Sequence, residues 1–181
     1  ANAHALARYA ALCQESGLVP IVEPEVLMNG SHTIEKCYEV TETALRITFE
    51  QLKNQNVSLE GMVLKPNMVI SALDCPEQAS VEKVAEMTLR CLKGNVPSEV
   101  TGIAFLSGGQ SSDVATAHLN VMNAMDDNLP WNLTFSYGRA LQEDALNAWK
   151  GVNREEGQSM LIERAKNNSL ASMGSFTEKA V

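Results

Sequence analysis

The nine residues Gly61–Val69, which read GMVLKPNMV, decide the fold. The run opens on a glycine, is apolar through Leu64, carries Lys65, and breaks at Pro66-Asn67. It is too short for an ordinary helix, and its near-continuous hydrophobicity suits a strand covered on both faces. Three further runs are built the same way: Gly17–Glu25 (GLVPIVEPE), Thr101–Ser107 (TGIAFLS) and Asn132–Tyr137 (NLTFSY). Four buried strands are therefore expected.

The segments between them carry a helical period. Ile34, Cys37, Tyr38, Thr41, Leu45, Thr48, Phe49 and Leu52 recur at the spacing of one helix face. Val81, Val84, Ala85, Thr88, Leu89 and Leu92 repeat the pattern, as do Val114, Ala117, His118, Val121 and Met125, and then Leu141, Ala145, Leu146 and Trp149. A helix over Ala1–Gln14 precedes the first strand, and another is expected from about Glu155 to Ala171. Strands alternating with helices of this length imply an α/β fold of parallel βα units. Turn-forming residues gather in connections (Met28–Gly30, Gly94–Pro97, Asp127–Pro130), with no interdomain linker. The chain thus reads as one unit over 1–181, its core within 1–150 and a C-terminal helix and tail over 151–181. Trp131 and Trp149 read as packing residues.

Composition removes several classes of function. A chain of 181 residues can bury a real core, yet it falls short of a closed eight-stranded α/β barrel, typically about 250 residues. A net charge of −8 argues against nucleic-acid binding, which needs clustered Lys and Arg. No apolar run is long enough for a transmembrane helix. The N-terminus lacks a signal-peptide layout, and without an initiator Met the start is expected to be processed or cut. The four cysteines, Cys13, Cys37, Cys75 and Cys91, form no CxxC pair. That argues against structural zinc and for reduced thiols in a cytoplasmic protein. His4 and His32 have no metal-binding partners at useful spacing, so no metal is expected.

Each strand delivers a polar group at its C-terminal end, which is how α/β proteins build sites. Lys65 ends the second strand. An amine attacks a carbonyl only when neutral, a state that burial or a neighbouring cation favours. Position alone leaves two readings of Lys65: a nucleophile, or a lysine paired with a strand-end carboxylate such as Glu23. Glu23 and Glu25 lie two apart and face the same side of an extended chain. Such a pair suits proton transfer or a structural ion-pair network. Ser107-Gly108-Gly109-Gln110 takes the third strand into a helix through two glycines, where backbone N–H groups can meet an anion. It is not a P-loop, since it lacks the GK[ST] ending. Gly138-Arg139 repeats that logic after the fourth strand. His118, on an apolar face, reads as a satisfied or half-buried histidine rather than a ligand. The acidic residues Glu143-Asp144 and Glu155-Glu156 read as solvated surface near helix starts.

Taken together, Val22–Glu25 (VEPE), Leu64–Met68 (LKPNM), Leu106–Ser111 (LSGGQS) and Phe135–Ala140 (FSYGRA) resemble class I fructose-bisphosphate aldolase. The resemblance runs in order from Asn2 to about Gly174. It implies a (β/α)8 TIM barrel of which this chain is the C-terminal half, strands five to eight. It also implies a glycolytic and gluconeogenic lyase that reversibly cleaves fructose 1,6-bisphosphate to dihydroxyacetone phosphate and glyceraldehyde 3-phosphate. By resemblance Lys65 forms the Schiff base, with no metal cofactor. Glu23 handles protons as the Schiff base forms and hydrolyses, and Glu25 is a second active-site carboxylate that helps set the local charge. Ser107, Gly108, Gly138 and Arg139 match phosphate-binding positions. The family is usually tetrameric, so a homo-oligomer is implied. The first half of the barrel, with its own aspartate, lysines and arginine, is absent from this sequence. So is a C-terminal tail ending in tyrosine, since the sequence given ends Lys179-Ala180-Val181. The resemblance therefore implies an incomplete chain whose partner is the missing N-terminal half. The alternative is a non-catalytic half-barrel that binds sugar phosphates or a protein partner.

Overall fold

In the computed structural model, which describes residues 1–125 and 128–177, each apolar run forms a strand shorter than the run itself. The strands are β1 (Ile21–Val22), β2 (Val63–Leu64), β3 (Gly102–Phe105) and β4 (Asn132–Phe135). They are parallel, and their order in the sheet is their order in the chain. Prolines account for much of the shortening. Pro20 and Pro24 bracket β1 and Pro66 follows β2, and a proline has no N–H to offer the ladder. Single hydrogen bonds still pin the strand ends. The Lys65 N–H donates to the Val22 carbonyl at 2.8 Å, Leu106 to Pro66 at 3.1 Å, and Ser136 to Phe105 at 2.8 Å. The polar residues at those ends are thus fixed to the sheet although they lie outside its regular ladder.

Six helices accompany the strands among the described residues: α1 (Asn2–Glu15), α2 (Ile34–Asn54), α3 (Val81–Asn95), α4 (Ser112–Met125), α5 (Arg139–Trp149) and α6 (Arg154–Ala171). Hydroxyls start two of them. Thr33 accepts the Lys36 N–H at the head of α2, and Ser80 accepts the Lys83 N–H at the head of α3. Helices α1 to α4 touch in chain order, α1 on α2, α2 on α3 and α3 on α4. They therefore form one layer on one face of the sheet. Val22, Leu64, Ile103, Phe105 and Leu133 are buried in the core. By the two-residue period, Ile21 and Val63 point to the other face, as do Glu23 and Lys65 beyond the strand ends. Ile21 is exposed and Val63 half-buried, so that face is open. No helix among the described residues is long and apolar enough to cross a membrane.

The expected faces of α2 and α3 are the buried ones. Helix α3 runs on through Gly94 to Asn95, so the expected connection there begins only at Val96; the Asn95 side chain turns back to the Cys91 carbonyl at 2.9 Å. The face expected for α4 is wrong by about one position. Ala115, Thr116, His118, Leu119 and Met122 are buried, whereas Val114 and Met125 are exposed. The cause is α6, which packs on α4 and covers a small, polar surface rather than the most apolar one. On α5 the expected Leu146 and Trp149 are likewise exposed, and Ala140 is the buried residue. Trp149 instead sets its Cβ against Gly157 of α6, where an added Cβ would lie 2.7 Å from it. Trp131 is core as expected, its indole N–H donating to the Pro97 carbonyl at 2.8 Å. Asp127 of the expected turn, and Lys179, Ala180 and Val181, lie outside the described residues.

One further correction concerns charge. Asp144 is not solvated surface. Arg164 of α6, 8% exposed, donates from Nη2 to Asp144 Oδ2 at 2.8 Å and to Asp113 Oδ1 at 2.6 Å. Its Nη1 donates to Thr116 Oγ1 at 3.2 Å. Burial favours the neutral guanidine, but the two carboxylates outweigh it and hold the guanidinium firmly charged. One arginine therefore ties α4, α5 and α6 together behind the third and fourth strand ends.

Candidate active site

Glu23 lies one residue past β1 and Lys65 one residue past β2. Since Val22 pairs with Leu64 in register, the two side chains emerge next to each other on the open face. Lys65 Nζ stands 3.2 Å from Glu23 Oε1, with the lysine side chain 20% exposed and the glutamate 44%. The pairing reading of Lys65 thus holds as geometry, and it does not compete with the nucleophile reading. An amine and a carboxylate in contact can exchange the proton that imine formation has to move.

What holds this pair was only half visible in the sequence. Asn67, 3% exposed, accepts the Val26 N–H on Oδ1 at 3.0 Å. Its Nδ2 donates to Thr41 Oγ1 at 3.0 Å and to the Met68 carbonyl at 3.1 Å. One amide therefore clamps the segment after β1 to the segment after β2 and to α2, two residues from Lys65. The Val69 N–H is in turn capped by Thr88 of α3 at 2.9 Å. A polar residue set within the apolar run Gly61–Val69 was the signal for Asn67, and nothing in the period pointed to its partners.

Glu25 reaches the third strand end. A Cβ placed on Gly108 would lie 3.1 Å from Glu25 Oε1 and 3.2 Å from Leu106 Cδ1, so a side chain there would press on the carboxylate. Gly109 sits at φ +78°, and a Cβ there would come within 2.8 Å of Met28 Cβ. The Gln110 N–H closes this turn on the Ser107 carbonyl at 3.0 Å. Ser107 and Gly108 are half-buried. At the fourth strand end Gly138 caps α5 without a side chain, and the exposed Arg139 is the first helical residue. The Leu141 and Gln142 N–H groups turn back to the Gly138 carbonyl at 3.1 and 3.2 Å, which leaves those of Arg139 and Ala140 for water or an anion.

The structure brings Lys65 to Glu23 and Glu25 to Gly108, and it puts Ser107, Gly138 and Arg139 on the two neighbouring strand ends. A groove of about 980 Å³ opens beside Glu23 and Glu25, walled by the start of α1 and by Ile47 and Thr48 of α2. Among the described residues no three His, Cys, Asp or Glu side chains group closely enough to hold a metal ion. His118 is satisfied, as expected, with Nδ1 2.7 Å from Gln110 Oε1.

Comparison with known proteins gives the family. The family model described as fructose-bisphosphate aldolase class-I matches residues 1–181. A probable fructose-bisphosphate aldolase class 1 of Xanthomonas campestris pv. campestris is 59% identical over 179 residues, which are 97% of this chain and 53% of that protein. Fructose-bisphosphate aldolase 5, cytosolic, of Arabidopsis thaliana is 53% identical over 178 residues, 97% of this chain and 49% of the relative. The fold is similar to that of fructose-bisphosphate aldolase from Plasmodium falciparum, solved in a ternary co-crystal with TRAP and a small molecule inhibitor. That match has a TM-score of 0.94 at 46% identity and covers 98% of this chain and 51% of that one. The chain spans about half the length of the relatives it matches. A family match over every residue, with relatives above half identity, makes this chain a member of the class I fructose-bisphosphate aldolase family.

Proposed function

We propose that this chain is the second half, strands five to eight, of a (β/α)8 barrel that cleaves fructose 1,6-bisphosphate reversibly through a Schiff base on Lys65. The contact of Lys65 Nζ with Glu23 Oε1 at 3.2 Å carries the proposal. The one-layer arrangement of helices and the sequential strand order support the half-barrel, because a sheet that always adds its next strand on the same side closes on itself. On this reading residues 1–181 are one unit, core 1–150 and C-terminal helix and tail 151–181. Its closing partner is an N-terminal half supplying the remaining walls.

The chemistry follows the residues. The neutral Lys65 amine adds to the C2 ketone, and the carbinolamine hydroxyl leaves as water after taking a proton from Glu23. The resulting iminium draws electrons. When a base removes the C4 hydroxyl proton, the C3–C4 bond breaks, its electron pair passes into the enamine, and glyceraldehyde 3-phosphate departs. Protonation at C3 and addition of water then release dihydroxyacetone phosphate and return the amine. No metal enters this sequence, because the iminium is the electron sink. Glu25 sets the local charge. Ser107 and Gly108, with Gly138 and Arg139, bind the two phosphates through N–H groups and one guanidinium, which is how an acidic chain holds a dianionic sugar. The enzyme works in the cytosol as a homo-oligomer, a tetramer as is usual in the family.

Steady-state cleavage of fructose 1,6-bisphosphate by the full-length protein, in excess chelator, tests this. Turnover should survive the chelator and vanish in Lys65→Met. Turnover lost to the chelator, or kept by K65M, rejects the mechanism. Binding of the bisphosphate without any turnover favours a non-catalytic half-barrel.

A further inference from the structure

The mechanism gives the Gln110 side chain of the third strand-end motif no role. Gln110 closes the Ser107–Gln110 turn through its backbone N–H, and its side chain then runs along α4 to a histidine two turns in. There Gln110 Oε1 lies 2.7 Å from His118 Nδ1. His118 is 4% exposed, and Ala115, Leu119 and Met122 of the same helix are buried as well, so the ring lies in the body of the fold. The amide, by contrast, leaves a turn whose two glycines impose little conformation of their own. We propose that His118 is a positioning residue for the sugar-phosphate site, acting through Gln110 to fasten the Ser107–Gly108 turn to the body of α4. The proposal rests on the functional reading above.

Three observations carry it. The turn is otherwise held by its own Gln110 N–H to Ser107 carbonyl bond and by the Leu106 N–H at the strand, with Met28 and Glu25 packed beside its glycines, so the Gln110 side chain is what links it to α4. The amide oxygen can only accept, so the bond assigns the ring proton to Nδ1. Burial pushes the imidazole down to about 4, against the pull of Glu82 on α3, so the ring is neutral and the bond is that of an uncharged donor. The buried ring is thus the donor, and the Ser107–Gln110 turn is what it holds.

The test compares His118→Leu, His118→Asn and Gln110→Leu with wild type in the full-length protein, reading KM, kcat and the Kd for fructose 1,6-bisphosphate. Asparagine is the informative substitution, because its Nδ2 falls where the histidine Nδ1 was and can donate to the same oxygen. H118L and Q110L should each raise KM and Kd about fivefold to tenfold while leaving kcat within about twofold, the signature of lost ground-state binding. The double variant should be no worse than either alone, and H118N should return to within about twofold of wild type. KM and Kd unchanged in Q110L, or raised equally in H118N and H118L, overturns the proposal. If H118L does not fold, H118N against Q110L decides it on the same terms. A wild type that binds the bisphosphate without turnover rejects the catalytic reading alone, and the comparison then proceeds on Kd. A wild type that does not bind it rejects both.

Discussion

Lys65 Nζ and Glu23 Oε1 lie 3.2 Å apart because Val22 and Leu64 pair in register and each strand extends one residue further on the same face. On the proposed mechanism the carboxylate carries the proton traffic of imine formation and hydrolysis. Glu23→Gln keeps the shape and removes the acid. Its kcat for the bisphosphate should fall about 100-fold with KM little changed. A variant that forms and hydrolyses the imine at wild-type rates in a stopped-flow assay would remove Glu23 from the mechanism.

Asn67 should prove as important to stability as to rate. Its amide satisfies Val26 and Thr41 from a position that is itself 3% exposed. Asn67→Ala strands the Val26 N–H and leaves a hole, so denaturant unfolding should show a loss of about 2–3 kcal/mol. The same variant should lose kcat, since the clamp lies two residues from Lys65. A change in stability under 0.5 kcal/mol, taken as a rough noise limit for surface sites, would show that the clamp is ornamental.

Arg164 offers a test away from the chemistry. Replacing it with Met preserves the stem but leaves Asp144 half-buried opposite nothing. Breaking a buried pair in this way costs about 3 kcal/mol, here reduced by the exposure of Asp113. The expected loss is about 2–3 kcal/mol in urea unfolding, and the double variant Arg164→Met/Asp144→Leu should recover part of it. No recovery would mean that the loss came from the contacts to Asp113 and Thr116 rather than from the Asp144 pair.

His118 gives the fold a pH dependence whose sign follows from its burial. Its folded-state value is about 4, below the 6.5 of an exposed imidazole, so between these values the unfolded chain binds the extra proton. Stability therefore rises with pH across that window. The contribution is full above about 6.5 and is lost as pH falls toward 4, on the order of 3 kcal/mol by linkage. Glu82, the carboxylate that pulls the other way, keeps the shift from being larger. His118→Asn should flatten the dependence of unfolding free energy on pH between 6.5 and 4. An unchanged slope would place the acid sensitivity in other groups.

How much of this was legible in the sequence depended on what covers each residue. The faces of α2 and α3 could be read because apolar residues at helical spacing meet the sheet directly. Lys65 and Glu23 could be placed side by side because they end apolar runs in neighbouring strands, but position alone left the paired and the nucleophile readings of Lys65 both open. The α4 face could not, because Thr116 and the α6 residues Arg164 and Asn168 bury polar groups against each other, and a polar pair leaves no hydrophobic period. Arg164 itself passed unnoticed and Asp144 was misread for the same reason. Strand lengths were overread because Pro20, Pro24 and Pro66 look apolar while withholding the N–H a ladder needs. Asn67 stood in plain view within Gly61–Val69, but its partners lie on β1's connection and α2, which no local pattern brings together.

The most direct measurement is borohydride reduction of the full-length protein in the presence of dihydroxyacetone phosphate, followed by peptide mass analysis. The expected result is one covalent adduct, on the peptide that carries Lys65, absent from Lys65→Met. An adduct on a different lysine, or none at all in a protein that turns over substrate, would contradict the assignment of the Schiff base to Lys65.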